Sequence, residues 1–423
     1  MEMLAVKIDG FRNLKAVEIT LSDLSALIAL NNYGKSNVME AIDFATDFIS
    51  ASKEGKRQMM AFKPGMPYNR NHHPATFSIQ FKLELTAGNE SYLAEYDFAF
   101  AWISRDEKSK IIAESLKIKP NNVSQKFTTM FKRGDSGSYY RTSKTGRCSN
   151  KLSVDDDELM LNKLQAYDEL YYHELLNDLN GLEAYVDHHP DASSSNGPDP
   201  IIRRDFNELD LNTLRNIPRI LFFLKKEYPD KYGRLEYAYT QLFPHIKEIK
   251  IVELSLDLSI HEGVSETEYT IPDKIYMMEF RDENLLGPLS FEQLSDGAKS
   301  VFMMLTRSVI ADVRHIPFIT FEEPENYVHP SMLQSLLRII KQLVGDKCKI
   351  LIASHSPHLV SYLDPREIYV GIPNDEGIAK FNKISKPSKL LKDSEMFECS
   401  MGDLLFDLMS SGDNEALLKY LEK

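Results

Sequence analysis

The sequence predicts an α/β fold: a mixed sheet carrying a phosphate-binding loop, an antiparallel β subdomain and a helical insertion. Three observations carry that expectation. An apolar stretch at residues 24–30 runs into Gly34-Lys35-Ser36 and then into helical spacing. Two alternating stretches, near 77–85 and 92–102, are joined by Gly88-Asn89, a hairpin signal. Two short apolar runs, 318–321 and 350–353, end in polar clusters. The second has the continuous apolar character of a strand buried on both faces.

Element by element, residues 4–8 and 17–21 read as strands, and 24–30 as a strand feeding the loop. From Asn37 a helix is expected, because Val38, Ala41, Ile42, Ala45 and Phe48 recur at helical spacing. Phe77, Ile79, Phe81, Leu83 and Leu85 share one strand face; Tyr92, Ala94, Tyr96, Phe98, Phe100 and Trp102 share another. Leucine-rich stretches at 155–186 and 208–243 read as helical, without heptads sustained enough for a long coiled coil. Between them HHPDASSSNGPDP, 188–200, has loop composition; His188-His189 lacks further ligands at metal-binding spacing. Val252, Leu254, Leu256, Leu258 and Ile260 alternate as a strand. Four segments are expected: 1–150, a β-rich lobe with the loop; 151–248, a helical insertion; 249–372, a second α/β lobe; and 373–423, a C-terminal extension.

Bulk properties narrow the function. With 423 residues, 43% apolar, the chain can fill a large core spread over two or three domains. No apolar run of about 18 residues occurs, and the first residues alternate as a strand does, so no membrane contact is expected. Cys148, Cys348 and Cys399 are far apart and form no CxxC pair, which disfavours disulfides and cysteine-bound zinc and fits a reducing cytoplasm. The net charge of -13 argues against general attraction to nucleic acid, so any such contact needs a local patch. Residues 126–151 offer one: Lys126, Lys132, Arg133, Arg141, Lys144, Arg147 and Lys151, interleaved with Phe127, Phe131, Tyr139 and Tyr140. Such a segment is either a grip for nucleic acid or an acidic partner, or a solvated hairpin.

Four stretches point to chemistry. Gly34, Lys35 and Ser36 match the end of a phosphate loop: tight backbone approach, a lysine for the β- and γ-phosphates, a hydroxyl for Mg²⁺. Ala29 stands where the loop's opening glycine is usual, a cost only if φ > 0 is required there. FITFEEPENYVHP, 318–330, ends a strand in Glu322, suited to hold Mg²⁺, and Glu323, suited to activate water. KILIASHSPHLVSYL, 349–363, ends a strand at His355, where a γ-phosphate can be sensed. LSDG, 294–297, starts a helix whose apolar face is Val301, Met304, Leu305 and Val309; Ser295 and the next backbone N–H groups can hold an anion. Each alone has a plainer reading: a chance match, an acidic turn, a structural histidine, a helix cap.

Their order along the chain resembles the heads of ABC-type ATPases: Walker A, signature, Walker B with D-loop, switch histidine. IDGFRNL, EEPENYVHP and SHSPHLV resemble the RecF/SMC-like group, and within it the OLD (overcoming lysogenization defect) family and its anti-phage relatives. The resemblance covers about residues 1–45 and 285–365. It implies that ATP and Mg²⁺ are the cofactors, with Asn32, Gly34, Lys35, Ser36 and Asn37 around the phosphates and Arg12 approaching the nucleotide. It implies Ser36 and Glu322 at the metal, Glu323 as catalytic base and His355 as switch. Asn326 and His329 follow the D-loop pattern, and Ser295 and Gly297 would contact the ATP of another subunit. Gln80 is a candidate for the Q-loop glutamine.

Ala298 replaces the Gln or Glu of transporter signatures. The acids after His355, such as Asp375-Glu376, Asp393 and Glu395, make no Toprim pattern, so no nuclease is expected in this chain. The resemblance thus implies a cytoplasmic ATPase that forms a homodimer or larger homo-oligomer and serves a separate effector, a nuclease or toxin, in phage defence. Two alternatives stand beside it: a RecF-like repair ATPase binding DNA through residues 126–151, and a non-hydrolysing scaffold cemented by ATP.

Overall fold

The computed structural model describes residues 1–61, 75–103, 108, 110–121, 125–186, 202–203, 217–255, 269–270, 274–372 and 376–422. The first lobe contains β1 (Glu2–Asp9), β2 (Val17–Thr20), β3 (Leu24–Ile28), α1 (Lys35–Ser50), α2 (Lys53–Met60), β4 (Thr76–Ala87), β5 (Glu90–Ala101), β6 (Ile111–Pro120), β7 (Thr128–Gly134), β8 (Gly137–Tyr140) and β9 (Asn150–Lys151). Then come α3 (Met160–Leu164), α4 (His173–Asn180), β10 (Ala184–Tyr185), β11 (Ile202–Arg203), α5 (Ile217–Glu227), α6 (Pro229–Leu242), β12 (Ile246–Ser255), β13 (Tyr269–Thr270), β14 (Lys274–Asp282), β15 (Leu289–Ser290) and α7 (Asp296–Arg314). The last part holds β16 (Phe318–Glu322), α8 (Pro330–Leu343), β17 (Lys349–Ser354), α9 (Pro357–Ser361), β18 (Ile368–Gly371), β19 (Phe381–Lys383), α10 (Pro387–Met396), α11 (Met401–Ser411) and α12 (Asn414–Leu418).

Contacts divide the chain into two compact units. One comprises 1–186, 316–322 and 347–423; the other comprises 187–315 and 323–346. Residues 151–186 therefore lie with the first lobe's sheet rather than with the helices after 217, and the division passes between Glu322 and Glu323.

The first unit holds two sheets. The antiparallel one runs β2-β1-β4-β5-β6-β7-β8-β9. Its inner face is the alternating set read from sequence: Phe77, Ile79, Phe81, Leu83 and Leu85 on β4, with Ala94, Tyr96, Phe98 and Phe100 on β5, all buried. That face packs on α1, where Phe48 stacks on Phe98 at 5.2 Å and Phe100 at 4.9 Å. Truncating such an aromatic costs about 3–5 kcal/mol. The second sheet runs β10-β16-β17-β3-β18-β19, parallel except for the antiparallel β18–β19 pair. β3, LSALI, is buried throughout, as a central parallel strand must be. Lys349 at the start of β17 bridges Glu2 (2.7 Å) and Asp23 (2.8 Å), tying the two sheets together.

A carboxylic acid sits wholly inside this unit. Glu114 on β6 accepts the N–H groups of Met160 (2.6 Å) and Leu161 (2.9 Å), capping α3, and the Tyr96 hydroxyl (3.1 Å). Burial pushes its carboxyl up to about 7, against those bonds.

The second unit has the sheet β12-β14-β15 with α5 to α8. α7 is buried along most of its length, including Val301, Met304, Leu305 and Val309. Pro229 ends the expected 208–243 helix: α5 stops at Glu227 and α6 restarts with the proline in its first turn, where its missing N–H costs nothing. Residues 208–216 of that expectation lie outside the described residues, as do 256–260 of the expected 252–260 strand and His188-His189. Within β12 the buried positions are Ile246 and Ile249, whereas Leu254 is exposed, so the alternation read from Val252 onward does not mark a core face. The 155–186 stretch is likewise mostly turns around the short α3 and α4.

Candidate nucleotide site

The order of the second sheet explains where the site forms. β16, β17 and β3 are adjacent and parallel, with Glu322 beside Ala353 and Ala353 beside Leu27. Their carboxyl ends therefore lie along one edge, and at that edge stand the phosphate loop, Glu322 and His355. Parallel sheets hold ligands at this edge.

Gly34 caps α1 at φ 113, a conformation open to glycine, and a Cβ there would fall 2.8 Å from Asn13 Oδ1. Asn32 is also left-handed, at φ 60. Ala29 does not require positive φ, so the absent glycine leaves the loop intact. Lys35 is buried, and its ammonium donates to the carbonyls of Ala29 (2.9 Å) and Leu30 (3.3 Å). The Ser36 hydroxyl donates directly to Glu322 Oε1. A hydroxyl and a carboxylate converging at a helix N-terminus fit a hard cation that takes its other oxygens from phosphate and water. Among the described residues no group of three or more His, Cys, Asp or Glu could hold a metal.

Two expected contacts are occupied otherwise. Arg12 pairs with Glu40 (2.5 Å) and donates to Asn37 Oδ1 (2.8 Å), so its guanidinium is spent on the outer turn of α1. Asn37 in turn donates to Asn13 Oδ1 (2.7 Å). Both brace the start of α1 from its flank. Gln80 sits in the middle of β4, opposite Asp97, and bonds that carboxylate across the strands.

In the second unit, Glu323 takes φ 48, a strained backbone for a non-glycine. Its carboxylate accepts from Asn326 Nδ2 (2.8 Å) and its carbonyl from the Asn326 N–H (2.9 Å). That third group orients the carboxylate, as an oriented base needs. Ser295 caps α7 by accepting from the Ala298 N–H (3.3 Å). A Cβ on Gly297 would meet Tyr327 O at 2.2 Å, so the LSDG helix start packs directly against the turn that carries Glu323 and Asn326. His329 caps α8, accepting from the Ser331 N–H (3.3 Å). Sequence reading passed over Tyr327, Asn13 and Tyr33; only an aromatic amid small polar loop residues marked the last.

The basic segment is partly spent internally. Arg133 donates to the carbonyls of Glu158 (2.9 Å) and Asp155 (3.2 Å), Arg141 to that of Gly146, and Phe131 is core. Lys126, Lys132, Lys144, Arg147 and Lys151 are exposed.

Residues 1–360 match the family described as an AAA ATPase domain. The chain belongs to that family. Membership makes it a nucleotide-binding ATPase domain. No curated protein matches it in sequence. An SMC head bound to the C-winged helix domain of ScpA is similar in structure at 12% identity, over 90% of this chain and 97% of that one, with a TM-score of 0.52. An SMC head with an extended coiled coil, bound to ScpA from Pyrococcus furiosus, is 11% identical over 94% and 99%, with a TM-score of 0.49. The recombination mediator RecF-ATPrS is 12% identical over 90% and 97%, with a TM-score of 0.40. The first shows the fold of this ATPase domain: the mixed α/β fold of an SMC head, with its antiparallel sheet and helices.

Proposed function

We infer that this AAA ATPase domain binds and hydrolyses Mg-ATP and couples that cycle to a separate effector. The observation that supports it most is the Ser36–Glu322 hydrogen bond beside buried Lys35, at the shared carboxyl edge of β3 and β16. Loop N–H groups at the start of α1 take phosphate oxygens. Lys35 exchanges its bonds to Ala29 and Leu30 for the β- and γ-phosphates. Ser36 and Glu322 hold Mg²⁺, which neutralises phosphate charge when bound. Glu323, oriented by Asn326, takes a proton from the attacking water, and His355 reports on the γ-phosphate. Ser295 and Gly297 serve the ATP of a second protomer, so binding closes a homodimer and hydrolysis reopens it. The role in phage defence, with a nuclease or toxin as effector, rests on the resemblance of IDGFRNL, EEPENYVHP and SHSPHLV to OLD-like ATPases.

The test is phosphate release with Mg-ATP, wild type beside Glu323→Gln. Turnover abolished by the substitution supports the assignment; equal turnover in both removes Glu323 as the base. Lys35→Ala binding ATP as wild type does in a calorimetric titration would refute the loop. A second reading, DNA binding, is favoured by exposed Lys132, Lys144, Arg147 and Lys151 near the end of the antiparallel sheet.

A further inference from the structure

The phosphate loop does not stand on its own strand and helix alone. Two side chains bind it to the connection between β18 and β19, more than three hundred residues further along the chain. Tyr33, the residue before Gly34, turns its side chain away from the loop. Its hydroxyl donates to the carbonyl of Ile372 and accepts from the N–H of Lys380 (3.2 Å). Its ring meets Phe381 edge-on at 5.7 Å. A Cβ on Gly371 would lie 2.6 Å from that ring, so the glycine leaves the seat that the tyrosine fills.

Asn13 works beside it. Its Nδ2 donates to the Tyr33 carbonyl (3.1 Å) and to the Gly377 carbonyl (3.1 Å), and its Oδ1 accepts from Asn37 (2.7 Å). Its backbone carbonyl accepts from the Ala379 N–H (3.0 Å), and Leu14 bridges Ala379. One asparagine thus fastens the loop, the start of α1 and the β18–β19 connection to the turn after β1.

A loop that wraps phosphate binds tightly only if its backbone is already in the wrapping conformation, because ordering it on binding subtracts from affinity. This loop contains two left-handed residues, Asn32 and Gly34, and its tip is exposed. Besides the Lys35 ammonium on the carbonyls of Ala29 and Leu30, contacts that hold it come from Asn13 and from Gly371, Ile372, Lys380 and Phe381. We propose that Tyr33 and Asn13 are positioning residues for the nucleotide: they hold the phosphate loop in its binding conformation by anchoring it to the β18–β19 connection. The proposal rests on the nucleotide-binding reading of this loop and adds that its affinity is set partly by Gly371, Ile372, Gly377, Ala379, Lys380 and Phe381. β19 continues into residues that bond the chain's last turn, Ser385 N to Tyr420 O (2.9 Å) and Glu422 N to Lys383 O (2.9 Å). Nucleotide binding should therefore tighten this C-terminal region as well.

Tyr33→Phe keeps the ring on Gly371 and Phe381 and removes the hydroxyl bonds. Tyr33→Ala removes both, and Asn13→Ala removes the bridge. Calorimetric titration with a non-hydrolysable Mg-ATP analogue should show Kd raised about fivefold to tenfold in Tyr33→Phe and more in the alanine variants, the scale of one or two lost hydrogen bonds. In steady state KM should rise with kcat within about twofold, the mark of lost loop preorganisation rather than lost chemistry. Hydrogen exchange of peptides spanning 376–386 should slow on adding the analogue to wild type and change less in Tyr33→Ala. Thermal melts separate positioning from folding. Variants that melt lower yet bind with wild-type Kd would overturn the proposal, as would Tyr33→Ala binding normally. A wild-type chain that binds no analogue would refute the nucleotide reading itself, and the proposal with it. Wild-type binding with unchanged variants would refute the proposal alone.

Discussion

Replacing Gly297 by alanine tests the link between the LSDG helix start and the acidic turn. The new Cβ would lie 2.2 Å from Tyr327 O and 3.3 Å from its carbonyl carbon. A carbon and a carbonyl oxygen approach no closer than about 3.3 Å, so the carbonyl must retreat by roughly 1 Å. Residues 323–328 form a closed turn, with Asn326 N on Glu323 O (2.9 Å) and Val328 N on Glu325 O (3.1 Å). The displacement therefore carries Glu323 with it. A 1 Å error in a catalytic group costs on the order of 10²-fold in rate. Phosphate release by Gly297→Ala should fall about 100-fold, while Kd for Mg-ATP stays within about twofold, since Lys35 and Ser36 are on another segment. A variant turning over within about threefold of wild type would refute the reasoning. Mixing Gly297→Ala chains with Lys35→Ala chains separates the two roles of this glycine. If Gly297 acts only on a partner's ATP, the site pairing an intact Lys35 with an intact partner signature regains activity. If it acts through its own Glu323, that site stays silent.

Further outcomes follow from the same geometry. Glu114 carries its proton up to about 7 in the fold, against 4.5 in the unfolded chain, so native molecules hold more protons between these values. Its contribution to stability is full below pH 4.5 and is lost as pH rises to about 7, a total of about 3 kcal/mol. Lys56, lowered by burial to about 8 from 10.5, restores stability as pH rises through that range. Urea unfolding at pH 5 and 7.5 should show the loss in wild type and a clearly smaller one in Glu114→Gln, the remainder coming from Asp47, raised by burial to about 6; equal losses would refute the burial argument. Ser36→Ala leaves Glu322 without its hydroxyl partner and should raise the Mg²⁺ needed for half-maximal turnover about tenfold; an unchanged Mg²⁺ titration would remove Ser36 from the metal. If DNA binds residues 126–151, Lys144→Ala with Arg147→Ala should reduce the slope of log K against log salt by about 2, whereas Arg133→Ala should chiefly destabilise the segment.

Much of the fold was legible because two periodicities were strong. Alternation marked β4 and β5 and their turn, and 3.6-residue spacing marked α1 and α7. Where the period was weak, tertiary contacts decided. The leucines of 155–186 bury themselves from turns and two short helices, and Val252 and Leu254 alternate on a strand without lining a core. The candidate site was legible as residue types in order, since phosphate, metal and water would each demand a particular group on a particular kind of turn.

By itself, then, the sequence determined which chemistry is on offer: Lys35, Ser36, Glu322, Glu323 and His355, each placed after a strand or at a helix start by local pattern. Only the tertiary structure decided what else those groups touch. Strand order β16-β17-β3 brought Ser36 onto Glu322. Packing turned Arg12 and Asn37 into braces, set Gly297 against Tyr327, and seated Tyr33 on Gly371. These are pairings across tens to hundreds of residues. Local propensity and spacing carry no information about them, because they depend on which surfaces meet once the core has formed.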